Sequence, residues 1–131
     1  MLYRSDDKGK TWGDGKPISP QGQENAHLLE LQDGRLLCSF TSRIPGLFGV
    51  VMRISDDGGD SWGHPFTLLS KPASDWRRTD SGYPSSVQLS DGRILTAYYF
   101  GPGRDADPAD GLPWHQRYHM GVARWVVPES G

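Results

Sequence analysis

Two eight-residue stretches, Ser5-Asp6-Asp7-Lys8-Gly9-Lys10-Thr11-Trp12 and Ser55-Asp56-Asp57-Gly58-Gly59-Asp60-Ser61-Trp62, repeat the pattern S-x-D-x-G-x-[S/T]-W fifty positions apart. Five fixed places recur in register, and this constrains the fold more than any other feature. The pattern reads as a tight β-hairpin. The side chain of Asp7 or Asp57 accepts backbone N–H bonds across the turn, as in Asx-turns. Gly9 or Gly59 takes a backbone conformation that a Cβ would penalise. The hydroxyls of Ser5 and Thr11, or of Ser55 and Ser61, close the loop. Trp12 or Trp62 then leaves it to pack its ring into a neighbouring apolar layer. Both loops read as folding devices without a catalytic part.

A second repeat runs through the same chain. Leu31-Gln32-Asp33-Gly34-Arg35-Leu36-Leu37 is echoed by Leu89-Ser90-Asp91-Gly92-Arg93-Ile94-Leu95. Asp-Gly between apolar runs is a strong hairpin signal, so each unit carries two hairpins and folds into a four-stranded antiparallel sheet of about fifty residues, the size of one propeller blade. No segment has a 3.6-residue apolar period, and the expected fold is all-β. Strands are expected at Leu2–Arg4 and after Thr11, at Ala26–Leu31, Arg35–Thr41, Gly49–Ile54 and Trp62–Leu69, and at Tyr83–Leu89, Arg93–Phe100 and Arg117–Val127. The chain then divides into the last two strands of a blade (1–22), a complete blade (23–70) and three strands of another (83–127). Propellers close with about four to eight blades, and about two are expected here. An open stack leaves unpaired edges and an uncovered apolar face. Either upstream blades lie outside the chain, or copies assemble into a ring in which the strand after Trp12 completes a neighbour's last blade.

Composition narrows the partners. A net charge of −2 with interspersed signs argues against a nucleic-acid or anionic-membrane surface. No apolar run is long enough for a spanning helix. The lone Cys38 cannot form an internal disulfide and reads as a small buried side chain. His27, His115 and His119 form no metal pattern, Gly58-Gly59 belongs to a hairpin rather than a phosphate loop, and no cofactor is expected.

The paired loops in blade-sized repeats resemble the Asp-box (BNR) repeats of the sialidase superfamily, whose fold is a six-bladed β-propeller. The stretch Asp80–Phe100 and the ending Gly121-Val122-Ala123-Arg124-Trp125 are similar to the C-terminal region of bacterial sialidase-like proteins. Such enzymes hold a sugar carboxylate with arginines and use a tyrosine nucleophile with a glutamate base and an aspartate acid. The resemblance implies Tyr83 as nucleophile, with Pro84 inserted before the following serines, and Arg43 as a carboxylate ligand. The family pattern N-E-x-x-x-x-E-L-x-D-G falls on Glu24 to Gly34; Asn25 stands in the base's register, and Glu24, one place away, is the candidate base. Arg43-Ile44-Pro45 also spells the family's early Arg-Ile-Pro motif, but in the wrong part of the fold. The acid aspartate and first arginine belong to blades outside this chain. Trp76, Arg78 and Asp80 lie in a connector where propeller ligand sites form, although Trp76 could equally cap the next blade. Two functions follow. One is a sialidase-like segment directed at carbohydrate and incomplete for catalysis alone. The other is a non-catalytic module for carbohydrate or protein that closes its ring by self-association.

Overall fold

The computed structural model describes residues 1–44, 47–70, 79–102 and 118–128. These fold into two antiparallel sheets with no helix among them. The first sheet contains β1 (Gln23–Glu30), β2 (Leu36–Ser42), β3 (Gly49–Ser55) and β4 (Phe66–Ser70) in sequential order. The second contains β5 (Thr79–Gln88), β6 (Ile94–Pro102) and β7 (His119–Trp125). The described residues close no ring.

Local chemistry makes the hairpins. In each S-x-D-x-G-x-[S/T]-W loop the central carboxylate is bonded on both oxygens. Thr11 donates its amide to Asp7 Oδ1 at 2.8 Å and its hydroxyl to Oδ2 at 2.6 Å, and Ser5 donates to Oδ1 at 2.8 Å. Ser61 and Ser55 treat Asp57 identically, at 2.8, 2.6 and 2.8 Å. The Gly9 and Gly59 amides return to Ser5 and Ser55 Oγ. These bonds, those from Thr11 and Ser61 first, hold the Asp7 carboxyl down at about 2 and Asp57 lower still. The turn takes positive φ at two successive residues, Lys8 and Gly9 in the first loop and Gly58 and Gly59 in the second. The Asp-Gly hairpins are three-residue loops rather than two-residue ones. Leu31 and Arg35 close one by an amide–carbonyl bond of 2.8 Å, with Gly34 as its left-handed third residue; Leu89, Arg93 and Gly92 repeat it.

Several strand bounds differ from the sequence expectation for identifiable reasons. The N-terminal pair reduces to one antiparallel bridge, Leu2 to Lys16. β4 starts at Phe66 rather than Trp62, because Gly63 donates to Ile54 within the hairpin neck and Pro65 has no amide to offer. β5 begins four residues before Tyr83, paired from Thr79 to Pro102.

The two central strands of the first sheet, β2 and β3, are buried on both faces. Leu37, Val50 and Met52 point one way and meet Leu31 and, from the second sheet, Ile94. Cys38, Phe40 and Val51 point the other way, onto Ile18 and Leu2 of the N-terminal segment. That segment is anchored by Arg53 donating to the Ile18 carbonyl at 2.6 Å, by Lys16 on Asp60 at 3.0 Å, and by Arg4 on the Gly58 carbonyl. Trp62 packs into this second cluster. Trp12 does not pack as expected: it stays 62% exposed, at the wall of a 340 Å³ cavity that Leu2, Leu28 and Leu36 also line. Burial pushes the Cys38 thiol up to about 11.

Three outcomes follow. Leu37→Ala should cost about 2–5 kcal/mol by denaturant unfolding, because the buried site cannot collapse around the lost methyls. Cys38 should resist a thiol reagent at pH 8 until denaturant is added. The stabilisation from Asp7 and Asp57 is complete above the ordinary carboxyl range and is lost as pH falls through their lowered folded values. Melting temperature should therefore drop from pH 4 to pH 2, and drop less in Asp7→Asn/Asp57→Asn.

Candidate functional site

β1 begins and β2 ends at the same edge of the first sheet, with Glu24 opposite Thr41 in the ladder. Arg43 follows β2 directly and donates its amide to the Gly22 carbonyl at 2.9 Å. This turns the two candidate side chains toward each other, and Arg43 Nε lies 3.8 Å from Glu24 Oε2. Both are partly exposed, so the pair is a surface one, worth little to stability.

Each sheet carries an irregularity in its first strand. The β1–β2 register slips between Glu24 and His27, and the β5–β6 register slips between Gly82 and Ser85. Asn25-Ala26 bulges opposite Phe40, and Tyr83-Pro84 bulges opposite Tyr98. The inserted proline is thus explained: it occupies a bulge, where a missing amide breaks no ladder bond. Asn25 (φ 54°) and Tyr83 (φ 46°) occupy the same place in the repeat, and both are left-handed. Asn tolerates this conformation, whereas for tyrosine it is an outlier.

Tyr83 is held from the first sheet. Its amide donates to Thr41 Oγ1 at 3.0 Å, and Thr41 itself is buried. The ring packs on Tyr99 with centroids 5.5 Å apart, and Tyr99 meets Tyr118 edge-on at 5.3 Å. Tyr83 is nonetheless 65% exposed. Glu24, Arg43 and Tyr83 are therefore tied to one edge through Thr41, the ladder partner of Glu24 and two residues before Arg43. The bond that Tyr83 makes to Thr41 uses its amide, and the Glu24 carboxylate is turned to Arg43.

Trp76 and Arg78 lie outside the described residues, and Asp80 is placed only by its backbone, on β5 opposite Gly101. Sequence reasoning missed Thr41, Gly82, Tyr99 and Tyr118. The one available signal was the 58-position offset that superposes the two Asp-Gly turns and also superposes Asn25 on Tyr83. Among the described residues, no group of three His, Cys, Asp or Glu side chains is placed to hold a metal ion.

These features define a repeat-built all-β domain with Asp-box loops and a polar, tyrosine-bearing edge. The chain belongs to the BNR repeat-like domain family, whose model matches residues 1–101. This agrees with the resemblance to the Asp-box repeats of the sialidase superfamily. No curated protein matched the chain.

Glu24→Gln should change the unfolding free energy by less than about 1 kcal/mol, because the pair is exposed. It should also change the Arg43 Nε resonance, read by ¹⁵N spectroscopy of the side chain.

Proposed function

We propose that this chain is a sialidase-type propeller segment directed at carbohydrate, whose edge takes a carboxylated sugar. The observation that carries the reading is the pairing of Arg43 with Glu24 at one end of the first sheet, where Thr41 also takes the amide of a constrained yet solvent-facing Tyr83 from the second. Arg43 supplies the planar fork that matches a carboxylate, and a carboxylate ligand would compete with Glu24 for it. The Tyr83 phenol stands ready to contact the sugar.

Alone, the chain should bind without turnover. Retaining hydrolysis needs a nucleophile with its base and a second carboxyl group as acid. Here the candidate base is paired with Arg43, and Asn25, a neutral amide, stands in the register of the family's glutamate. Titration with N-acetylneuraminic acid, followed by amide shifts, should perturb the residues around Arg43 and Tyr83. Arg43→Gln should weaken that binding about ten- to a hundredfold, the loss expected for charge-assisted bonds. A fluorogenic sialoside should release no fluorophore above buffer. Turnover that Tyr83→Phe abolishes would replace the binding reading with catalysis.

A second reading is favoured by the outer face of the second sheet. Val87, Met120 and Val122 are 50, 69 and 61% exposed there, beside Leu95 and Ala97. The equivalent face of the first sheet, around Leu37, is covered by the second sheet. Repetition of that packing in a second copy of the chain would give a self-associating, non-catalytic carbohydrate- or protein-binding module. Light scattering behind a sizing column should then return a multiple of 14.5 kDa, and Val122→Glu should reduce it. A monomer would end this reading.

A further inference from the structure

We propose that Thr41 is a positioning residue for Tyr83: from the first sheet, its hydroxyl fixes the tyrosine of the second in the left-handed conformation that presents the phenol. The proposal rests on the reading of Tyr83 as a ligand-contacting group.

A bulky residue at φ 46° must be held there by its surroundings. Two constraints converge on it. The Thr41 hydroxyl, in a side chain 1% exposed, accepts the Tyr83 amide at 3.0 Å. Gly82 makes the approach possible, because a Cβ there would overlap Thr41 Oγ1 and lie 2.8 Å from its Cγ2. Gly82 itself has φ 152°. At the far end of the side chain, the Tyr83 ring rests on Tyr99, which Tyr118 buttresses. Tyr118 in turn sits over Gly101, where a Cβ would come within 2.8 Å of its Cε1.

The first sheet provides an internal comparison. Asn25 fills the same bulge with the same backbone sign, preceded by Glu24 rather than glycine. A bulge therefore does not require tyrosine, and asparagine adopts it with less strain. Nor does burial require it, since Tyr83 is largely in solvent. A glycine and a buried hydroxyl thus maintain an exposed aromatic in a disfavoured conformation, and presentation of the phenol is the role that accounts for them. Because Thr41 belongs to one sheet and Tyr83 to the next, the packing between sheets sets the geometry of the site.

The test uses the full chain with Thr41→Val, which keeps the shape and removes the hydroxyl, and Thr41→Ser, which keeps the hydroxyl. Two readouts are taken: the three-bond HN–Hα coupling of Tyr83, which separates left-handed from extended backbone, and N-acetylneuraminic acid affinity by amide-shift titration. In Thr41→Val the coupling should move toward the extended value and affinity should fall about tenfold, with Thr41→Ser restoring both. Unchanged coupling and affinity in a folded Thr41→Val chain would overturn the proposal. If the unmodified chain takes up no N-acetylneuraminic acid, the ligand reading fails separately and the coupling decides. Loss rescued by serine then supports the clamp, and retention in Thr41→Val overturns it.

Discussion

The close approach of Thr41 and Gly82 is the contact on which the candidate site depends. Sheets packed face to face normally sit about 10 Å apart, with side chains filling the gap. Here a strand of one sheet comes near enough that a threonine hydroxyl bonds a backbone amide of the other. Only glycine leaves room for this. The apolar cluster of Leu31, Leu37, Val50, Met52 and Ile94 supplies the driving force that holds the faces together. The polar contact then fixes their register at one end, where Glu24 and Arg43 also lie. A second set of cross-sheet bonds does the same near the opposite end, where the Gln32 amide donates to Gln88 Oε1 at 2.7 Å and its side chain to the Leu89 carbonyl.

The Asp-box loops serve a different purpose. The second lies at the hairpin between β3 and β4, away from the end of the sheet that meets Tyr83, and the first lies within the N-terminal segment closed by the Leu2–Lys16 bridge. Each satisfies its own turn with one carboxylate and two hydroxyls, so the loop is determined by nearby residues and needs little from the rest of the fold. The second loop also receives Arg4 and Lys16 from the N-terminal segment. Asp60 is held below its ordinary range by these two cations, Lys16 first. The second loop therefore ties the N-terminal segment to the first sheet as well as closing its own turn.

This division explains what could be read from the chain alone. The Asp boxes and the Asp-Gly turns were legible because their chemistry is complete within a few residues. The all-β character and the central strands were legible because apolar runs such as Val50–Met52 alternate between two buried faces. The site was legible only in part. Arg43 and Glu24 could be named as candidates, but their pairing depends on the β1–β2 register. Both bulges were invisible, since a bulge is a property of two strands rather than one, and Pro84 consequently read as an insertion. Thr41 looked like an ordinary strand residue, and its importance appears only when the second sheet is laid against the first. Trp12 failed to pack like Trp62 because the two loops share local chemistry but not neighbours.

The most direct test of this account is the nuclear Overhauser effect between the Thr41 γ-methyl and the Gly82 α-protons in the isotopically labelled chain. A strong cross-peak is predicted, because Gly82 packs directly against the Thr41 side chain and no chain neighbour brings these groups together. Its absence, in a spectrum that retains the β2–β3 and β5–β6 ladder contacts, would mean that the sheets fold without meeting as described. The edge bearing Tyr83, Arg43 and Glu24 would then lose the contact that assembles it.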